Sequence, residues 1–226
     1  MKLIIFDVDG TLIDSQETIF RVFEKVLQLH KLSVPDKSII LSSVGLSLPE
    51  AVRSIYPNLS DKSILKLTKS LKDAFVEIRN TSDGLELSKP FPNTLITLET
   101  LKKRSDLMLS IATGKPLADL NCDLRSHKLL SYFGNLQTSD NHPSKPDPSM
   151  LRAALADTGV PFSSAVMVGD TTFDITMAKS LNIKTIGVTW GYHSATSLIE
   201  AGADFLVSAM SELELTIDKA FRRDIK

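Results

Sequence analysis

Cysteine is nearly absent: Cys122 stands alone in 226 residues. A lone thiol excludes an intrachain disulfide framework and fits a reducing compartment. None of the four histidines (His30, His127, His142, His193) is paired with it in sequence, so no thiol nucleophile is signalled. Cys122 is expected to pack as a small apolar group. No apolar run approaches the roughly 18 residues that span a bilayer. The N-terminus enters a strand at once without a signal-peptide pattern, so a cytoplasmic location is expected. Net charge is missing too: 26 Lys and Arg against 27 Asp and Glu leave −1. That gives no electrostatic case for nucleic acid or an anionic membrane as partner. Repeats and low-complexity segments are absent. What remains is an ordinary globular composition, 42% hydrophobic and 23% charged, long enough for one large or two modest cores.

Against this plain background, residues 4–15 read Ile-Ile-Phe-Asp-Val-Asp-Gly-Thr-Leu-Ile-Asp-Ser. An apolar run from Leu3 to Phe6 reads as a buried strand that ends in two carboxylates, Asp7 and Asp9, before a Gly10 turn. Period-two geometry sends both to one side of the strand end. Adjacent anions repel and are tolerable only if a cation or proton joins them. A calcium-binding helix-loop-helix would need a Glu at the twelfth loop position and a preceding helix; here that position is Thr18 and a strand precedes. Taken alone, Asp-x-Asp is consistent with either a metal-assisted site or a solvated turn.

Three further strand ends bear on the choice. Leu107-Met-Leu-Ser-Ile-Ala-Thr113 runs into Gly114-Lys115-Pro116, where a hydroxyl and backbone N–H groups at a Gly turn suit a phosphoryl oxygen. Lys145 sits in Pro143-Ser144-Lys145-Pro146-Asp147-Pro148, a stiff, non-helical loop. Asp147 there is placed to cap a helix that Pro148 begins. The fourth, Ala165 to Val168, ends in Gly169-Asp170 with Asp174 beyond it. A helix starting near Thr171 would bring Asp170 and Asp174 to the same side, one turn apart. Alone, each of these is also ordinary turn or capping chemistry.

From residue 84 onward, strand candidates at 107–112, 134–138, 164–168, 184–188 and 204–207 alternate with helices near 93–104, 117–128, 148–158, 172–181 and 211–221. This alternation predicts an α/β fold, a Rossmann-like doubly wound parallel sheet. Residues 15–83 differ. Ile19, Val22, Phe23 and Val26, and then Ile64, Leu67, Leu71, Phe75 and Ile78, recur at helical spacing. Lys62, Lys66, Lys69 and Lys72 form the opposite, solvated face. The expected organisation is a core of residues 1–14 and 84–226 with an inserted helical subdomain at 15–83.

Together the four strand ends resemble the haloacid dehalogenase-like hydrolases over nearly the whole chain. Asp7-Val8-Asp9-Gly10-Thr11 matches the first motif, Thr113 the second, Lys145 the third, and Gly169-Asp170 with Asp174 the fourth. Leu12-Ile13-Asp14-Ser15, Val44 to Glu50, Trp190-Gly191-Tyr192 and Ala201-Gly202-Ala203-Asp204 look like phosphoglycolate-phosphatase-type members. The chain departs from relatives with Thr-Gly-Lys where Thr-Asn-Lys is frequent, and with His193 in place of a small residue.

The resemblance implies a Mg²⁺-dependent phosphatase of a small, phosphoglycolate-like phosphomonoester, monomeric or homodimeric, with the helical insert as a cap. Asp7 is then the nucleophile that forms an aspartyl-phosphate and Asp9 the general acid and base. Mg²⁺ is expected between the Asp7 carboxylate, the Asp9 backbone carbonyl and Asp170. Thr113, Gly114 and Lys145 hold the phosphoryl oxygens, and Asp174 orients Lys145 or a metal-bound water. Gly45 to Glu50 reads either as a loop reaching the site, with Gly45 the candidate for substrate selection, or as a turn into a helix containing Glu50. Arg53 and Arg79 read as solvated or as carboxylate ligands. Alternatives within the superfamily are a phosphosugar mutase, a pyrophosphatase and a metal-independent dehalogenase; a non-catalytic phosphate-binding protein is the rival outside catalysis.

Overall fold

The computed structural model describes residues 1–79 and 87–222. Its centre is a six-stranded parallel sheet ordered β5-β4-β1-β6-β7-β8. The strands are β1 (Lys2–Phe6), β4 (Leu107–Thr113), β5 (Asn135–Thr138), β6 (Ala165–Gly169), β7 (Lys184–Val188) and β8 (Phe205–Val207). β1 is covered on both faces, as a parallel sheet requires. Ile4 and Phe6 join one apolar core with residues of α5 (Thr94–Lys102), α6 (Leu117–Ser126) and α10 (Leu213–Phe221). Leu3 and Ile5 join a second core with α7 (Ser149–Thr158) and α8 (Thr172–Lys179). A short α9 (Ala195–Glu200) packs beside α8 and β7. The chain builds outward from β1 through β4 to β5, then returns to the other side of β1 for β6 to β8. The reversal point between β1 and β6 is where open α/β sheets place their ligands.

Expected strands and helices are all present, with ends shifted by a few residues. Not among the expected elements are α9 and a small antiparallel pair of β2 (Ile13–Asp14) with β3 (Lys89–Pro90). This pair ties the two chain connections of the insert side by side. Between them lie α1 (Gln16–Leu29), α2 (Lys37–Leu41), α3 (Leu48–Ile55) and α4 (Asp61–Arg79). They bury their own apolar cluster, including Val22, Phe23, Val26, Ile64, Leu67 and Leu71, which is the stripe read from the helical spacing. The expected boundary at 83/84 lies outside the described residues.

Two local expectations need correction. Asp147 does not cap α7: Pro148 is the cap residue, and Asp147 stands one position further out, its carboxylate accepting from the Ser149 N–H at 2.9 Å. Cys122 is exposed on α6 and does not pack into the core, because the buried face of that helix is taken by Leu120, Asp123 and Leu124.

Leu71 is fully buried in the helical cluster. Leu71→Ala is therefore expected to cost about 2–5 kcal/mol in denaturant unfolding; a change within about 0.5 kcal/mol would mean that this cluster contributes little to holding the insert together.

Candidate active site

Asp7 comes directly after β1, and its N–H donates to the Val168 carbonyl of β6 at 2.9 Å. The loop then folds back tightly: the N–H groups of Leu12 and Ile13 both donate to the Val8 carbonyl. Gly10 makes that turn with φ +81°, and a Cβ there would lie 2.2 Å from Asp170 Oδ2. Only glycine supplies both the positive φ and the close approach. Asp7 and Asp9 both line one cavity, as expected, but their carboxylates serve different partners.

Asp7 belongs to a buried charge cluster. Lys145 Nζ lies 3.0 Å from Asp7 Oδ1 and 2.7 Å from Asp174 Oδ1, with all three side chains essentially inaccessible. Asp170, at the end of β6, completes a group of three carboxylates whose oxygens lie within 4.8 Å of one another. Asp170 accepts from Thr11 Oγ1 and the Tyr192 N–H, each at 2.9 Å. Asp174 is the fully used member, accepting from Lys145 and from both N and Oγ1 of Thr171. It forms a capping box with Thr171, so Thr171, not Asp170, caps α8. Asp7 is the opposite case: its Oδ1 meets Lys145 as an ion pair only, and both its carboxylate oxygens are buried without a hydrogen bond of good geometry.

The electrostatics derive from this packing. Burial, with Asp174 adding to it against the pull of Lys145, raises the Asp7 carboxyl from an ordinary 3.8 to about 7. Burial and the neighbouring Asp7 and Asp174 charges also push Asp170 well up. Burial opposes the Lys145 ammonium, but the carboxylates of Asp174 and Asp7 outweigh it and hold that group above the usual lysine range. Buried carboxylates with unused oxygens are the donor set of a hard divalent cation.

Asp9 faces away from this cluster. Its Oδ1 accepts from Ser15 Oγ and, at 2.9 Å, from Lys115 Nζ. Lys115 also contacts the buried carboxylate of Asp123 on α6. Tyr192 closes this side, its hydroxyl accepting from the Ser15 N–H at 3.3 Å. Thr113 ends β4 buried, and its Oγ1 accepts from the Lys115 N–H. Gly114 meets the insert backbone: a Cβ there would lie 2.5 Å from the Leu46 carbonyl oxygen and 2.6 Å from that of Gly45. Gly45, at φ +98°, lines the cavity. Both readings of residues 45–50 hold, since the loop at Gly45 reaches the site and Glu50 lies in α3.

The family model for "Haloacid dehalogenase-like hydrolase" matches residues 4–188. The chain belongs to this family. It is 34% identical over 217 residues to the "Probable phosphatase IndB" of Dickeya dadantii, covering 93% of this chain and 91% of that one. It is 32% identical to the "Pyrophosphatase PpaX" of Bacillus velezensis, covering 93% of each, and 28% identical to a "Phosphoglycolate phosphatase" of Vibrio parahaemolyticus, covering 94% of each. A crystal structure of a predicted phosphatase from Clostridium acetobutylicum superposes with TM-score 0.86 at 28% identity, covering 96% of this chain and 98% of that one.

In this haloacid dehalogenase-like hydrolase, several site residues carry little or no signal in the sequence. For Lys115 the only cue is a lysine two residues after a strand-end hydroxyl. Asp123 carries none; Thr11 and Ser15 lie in the first motif segment, but nothing local marks their contacts to Asp170 and Asp9. Arg79 is not solvated: it pairs with Asp119 of α6 at 2.6 Å. Arg53 pairs with Asp61 at 3.0 Å on the surface. Lys72 is exposed, as the solvated lysine face predicts, and also borders the cavity mouth. His193 is structural, its Nδ1 accepting from the Thr172 N–H and its Nε2 donating to the Ser42 carbonyl.

The raised Asp7 carboxyl sets a pH dependence. Without metal, the folded protein keeps this proton while the unfolded chain releases it, so the contribution is full below about pH 4 and fades as pH rises to about 7. Asp7→Asn removes the titration. In chelator, the Tm of Asp7→Asn relative to wild type is expected to rise between about pH 5 and pH 8. A difference that stays flat or falls would mean that Asp7 is ionised throughout.

Proposed function

We propose that the protein is a Mg²⁺-dependent phosphatase of small phosphomonoesters that works through an aspartyl-phosphate. The observation that carries this is Asp7: a carboxylate paired with the Lys145 ammonium at one oxygen, without a well-formed hydrogen bond at either, and buried beside Asp170 and Asp174. A group so placed is poised to bond to phosphorus and, through its other oxygen, to a cation. Names of relatives, among them a phosphoglycolate phosphatase and a pyrophosphatase, support the reaction class.

In this reading Asp7 attacks phosphorus and the leaving alcohol departs, its oxygen taking a proton from Asp9. Asp9 then takes a proton from water, which attacks the aspartyl-phosphate and returns Asp7 and inorganic phosphate. Ser15 and Lys115, both bonded to Asp9 Oδ1, hold that carboxyl over the cavity. Lys145 steadies Asp7 and meets the charge of the transferring group, with Asp174 fixing the ammonium. Thr113 and Gly114 offer a hydroxyl and a backbone N–H at the cavity floor. Asp7 and Asp170, with the Asp9 carbonyl, would hold Mg²⁺, which when bound offsets the Asp7 charge and polarises the phosphoryl group. The helical insert acts as the cap, and Gly45 belongs to its contact with the core.

Asp7→Asn is expected to abolish Mg²⁺-dependent phosphate release from p-nitrophenyl phosphate while the circular dichroism stays native. Asp9→Asn should lose about 10²–10⁴ in rate. Activity should vanish in chelator and return with Mg²⁺ but poorly with Ca²⁺, which prefers about 6–8 oxygens at longer range. Turnover by folded Asp7→Asn, or full activity in chelator, would sink this reading.

A further inference from the structure

The cavity above Asp7 and Asp9 has a volume of about 110 Å³. That is well above the roughly 10–15 Å³ a single water needs, so the cavity admits a small organic group. Its insert side presents Ile19, Phe23, Val44, Leu46, Leu48 and Phe75. Ile19 and Phe23 lie one turn apart on α1, and Phe75 faces them from α4 across the same cluster.

The polar groups on that side are already used. Thr18 Oγ1 is bonded to Ser88 Oγ at 2.8 Å, and Ser43 Oγ donates to the Ile40 carbonyl at 2.7 Å. The cations are mostly committed as well: Arg79 to Asp119, and Lys115 to Asp9 and Asp123. His127 stands on the sheet side at the end of α6. Lys72 is exposed at the rim, shared with the outer cleft, where an ion pair changes binding by only about a few-fold. A carboxylate or second phosphate pressed against the apolar wall would give up its hydration and, among the described side chains of the insert, meet only Arg79, already paired with Asp119, and Lys72 at the rim.

We propose that the leaving group is a small alcohol with an apolar body, so that the substrate is a lipophilic phosphomonoester and neither phosphoglycolate nor pyrophosphate. The proposal rests on the phosphatase reading above and narrows its substrate. Apolar surface leaving water for this wall favours longer chains by about fourfold per methylene.

The test compares kcat/KM for ethyl, butyl and hexyl phosphate with 2-phosphoglycolate and pyrophosphate, in Mg²⁺. Calorimetric binding of the same compounds to Asp7→Asn runs in parallel, independent of turnover. Rising kcat/KM from ethyl to hexyl is expected, with hexyl phosphate at least about tenfold above 2-phosphoglycolate and pyrophosphate. Phe75→Ala and Leu48→Ala, checked for native Tm, should flatten the series, hexyl phosphate losing about tenfold more than ethyl. A flat series in both turnover and binding, or a preference for phosphoglycolate or pyrophosphate, overturns the proposal. Chain-length-dependent binding without turnover of any ester by wild type would instead sink the phosphatase reading and leave the apolar cavity standing.

Discussion

The structure depends on one electrostatic problem: carboxylates gathered at a dry sheet end must be held together although they repel. Moving such a group out of water costs several kcal/mol even after relaxation. β1 and β6 are neighbours, and the Asp7 N–H to Val168 carbonyl bond fixes Asp7 beside Asp170. Lys145 supplies the ammonium, and the capping box at Thr171 uses Asp174 both to start α8 and to hold that ammonium. Gly10 leaves space for Asp170 Oδ2 where any side chain would collide. Asp7 is left with one oxygen held only by the Lys145 ion pair and neither in a well-formed hydrogen bond. A cluster satisfied everywhere except at Asp7 is stable enough to fold, and under the proposed reading it keeps one place where a cation and a phosphoryl group would improve it.

Much of this is legible in the sequence because it sits at strand ends. A buried parallel strand is a short apolar run, and the residues just after it lie at the sheet's carboxyl edge. Asp7, Thr113, Lys145 and Asp170 can therefore be placed on that edge without coordinates. Period two fails just past β1, where the chain leaves the extended conformation at Gly10; Asp7 and Asp9 share a cavity but point to different partners. Lys115, Asp123 and the Ser15–Tyr192 contact are illegible for another reason. They join residues 8 to 177 positions apart, and nothing local marks a lysine that will be shared by two carboxylates. Lys72 keeps its expected place in the solvated row and borders the cavity mouth as well, because helical periodicity assigns a face but not what lies beside the end of that face.

The insert and the core meet along a seam with few but differently built contacts. Gly114 lets the carbonyls of Gly45 and Leu46 approach. The Ser47 N–H donates to Ser144 Oγ at 2.8 Å, beside the loop that carries Lys145. Arg79 reaches Asp119, and His193 reaches the Ser42 carbonyl. Three of these four contacts involve backbone atoms of the insert, so they hold its position without constraining the side chains that face the cavity. The β2–β3 pair carries both chain connections through one narrow ribbon.

That construction separates chemistry from selection. The groups assigned to bond-making, Asp7, Asp9, Lys145 and Asp170, all come from the core, and their positions are set by sheet register and buried charge. The groups that line the cavity from the insert come from α1, the Gly45 loop, α3 and α4. Side chains there can change from apolar to charged at the cost of local packing, without disturbing the charge cluster beneath. Relatives named for pyrophosphate and for phosphoglycolate can thus share this core. In this chain the insert turns Ile19, Phe23, Leu48 and Phe75 toward the site, and under the proposed reading it is those side chains, more than the carboxylates under them, that decide which alcohol fits above Asp9.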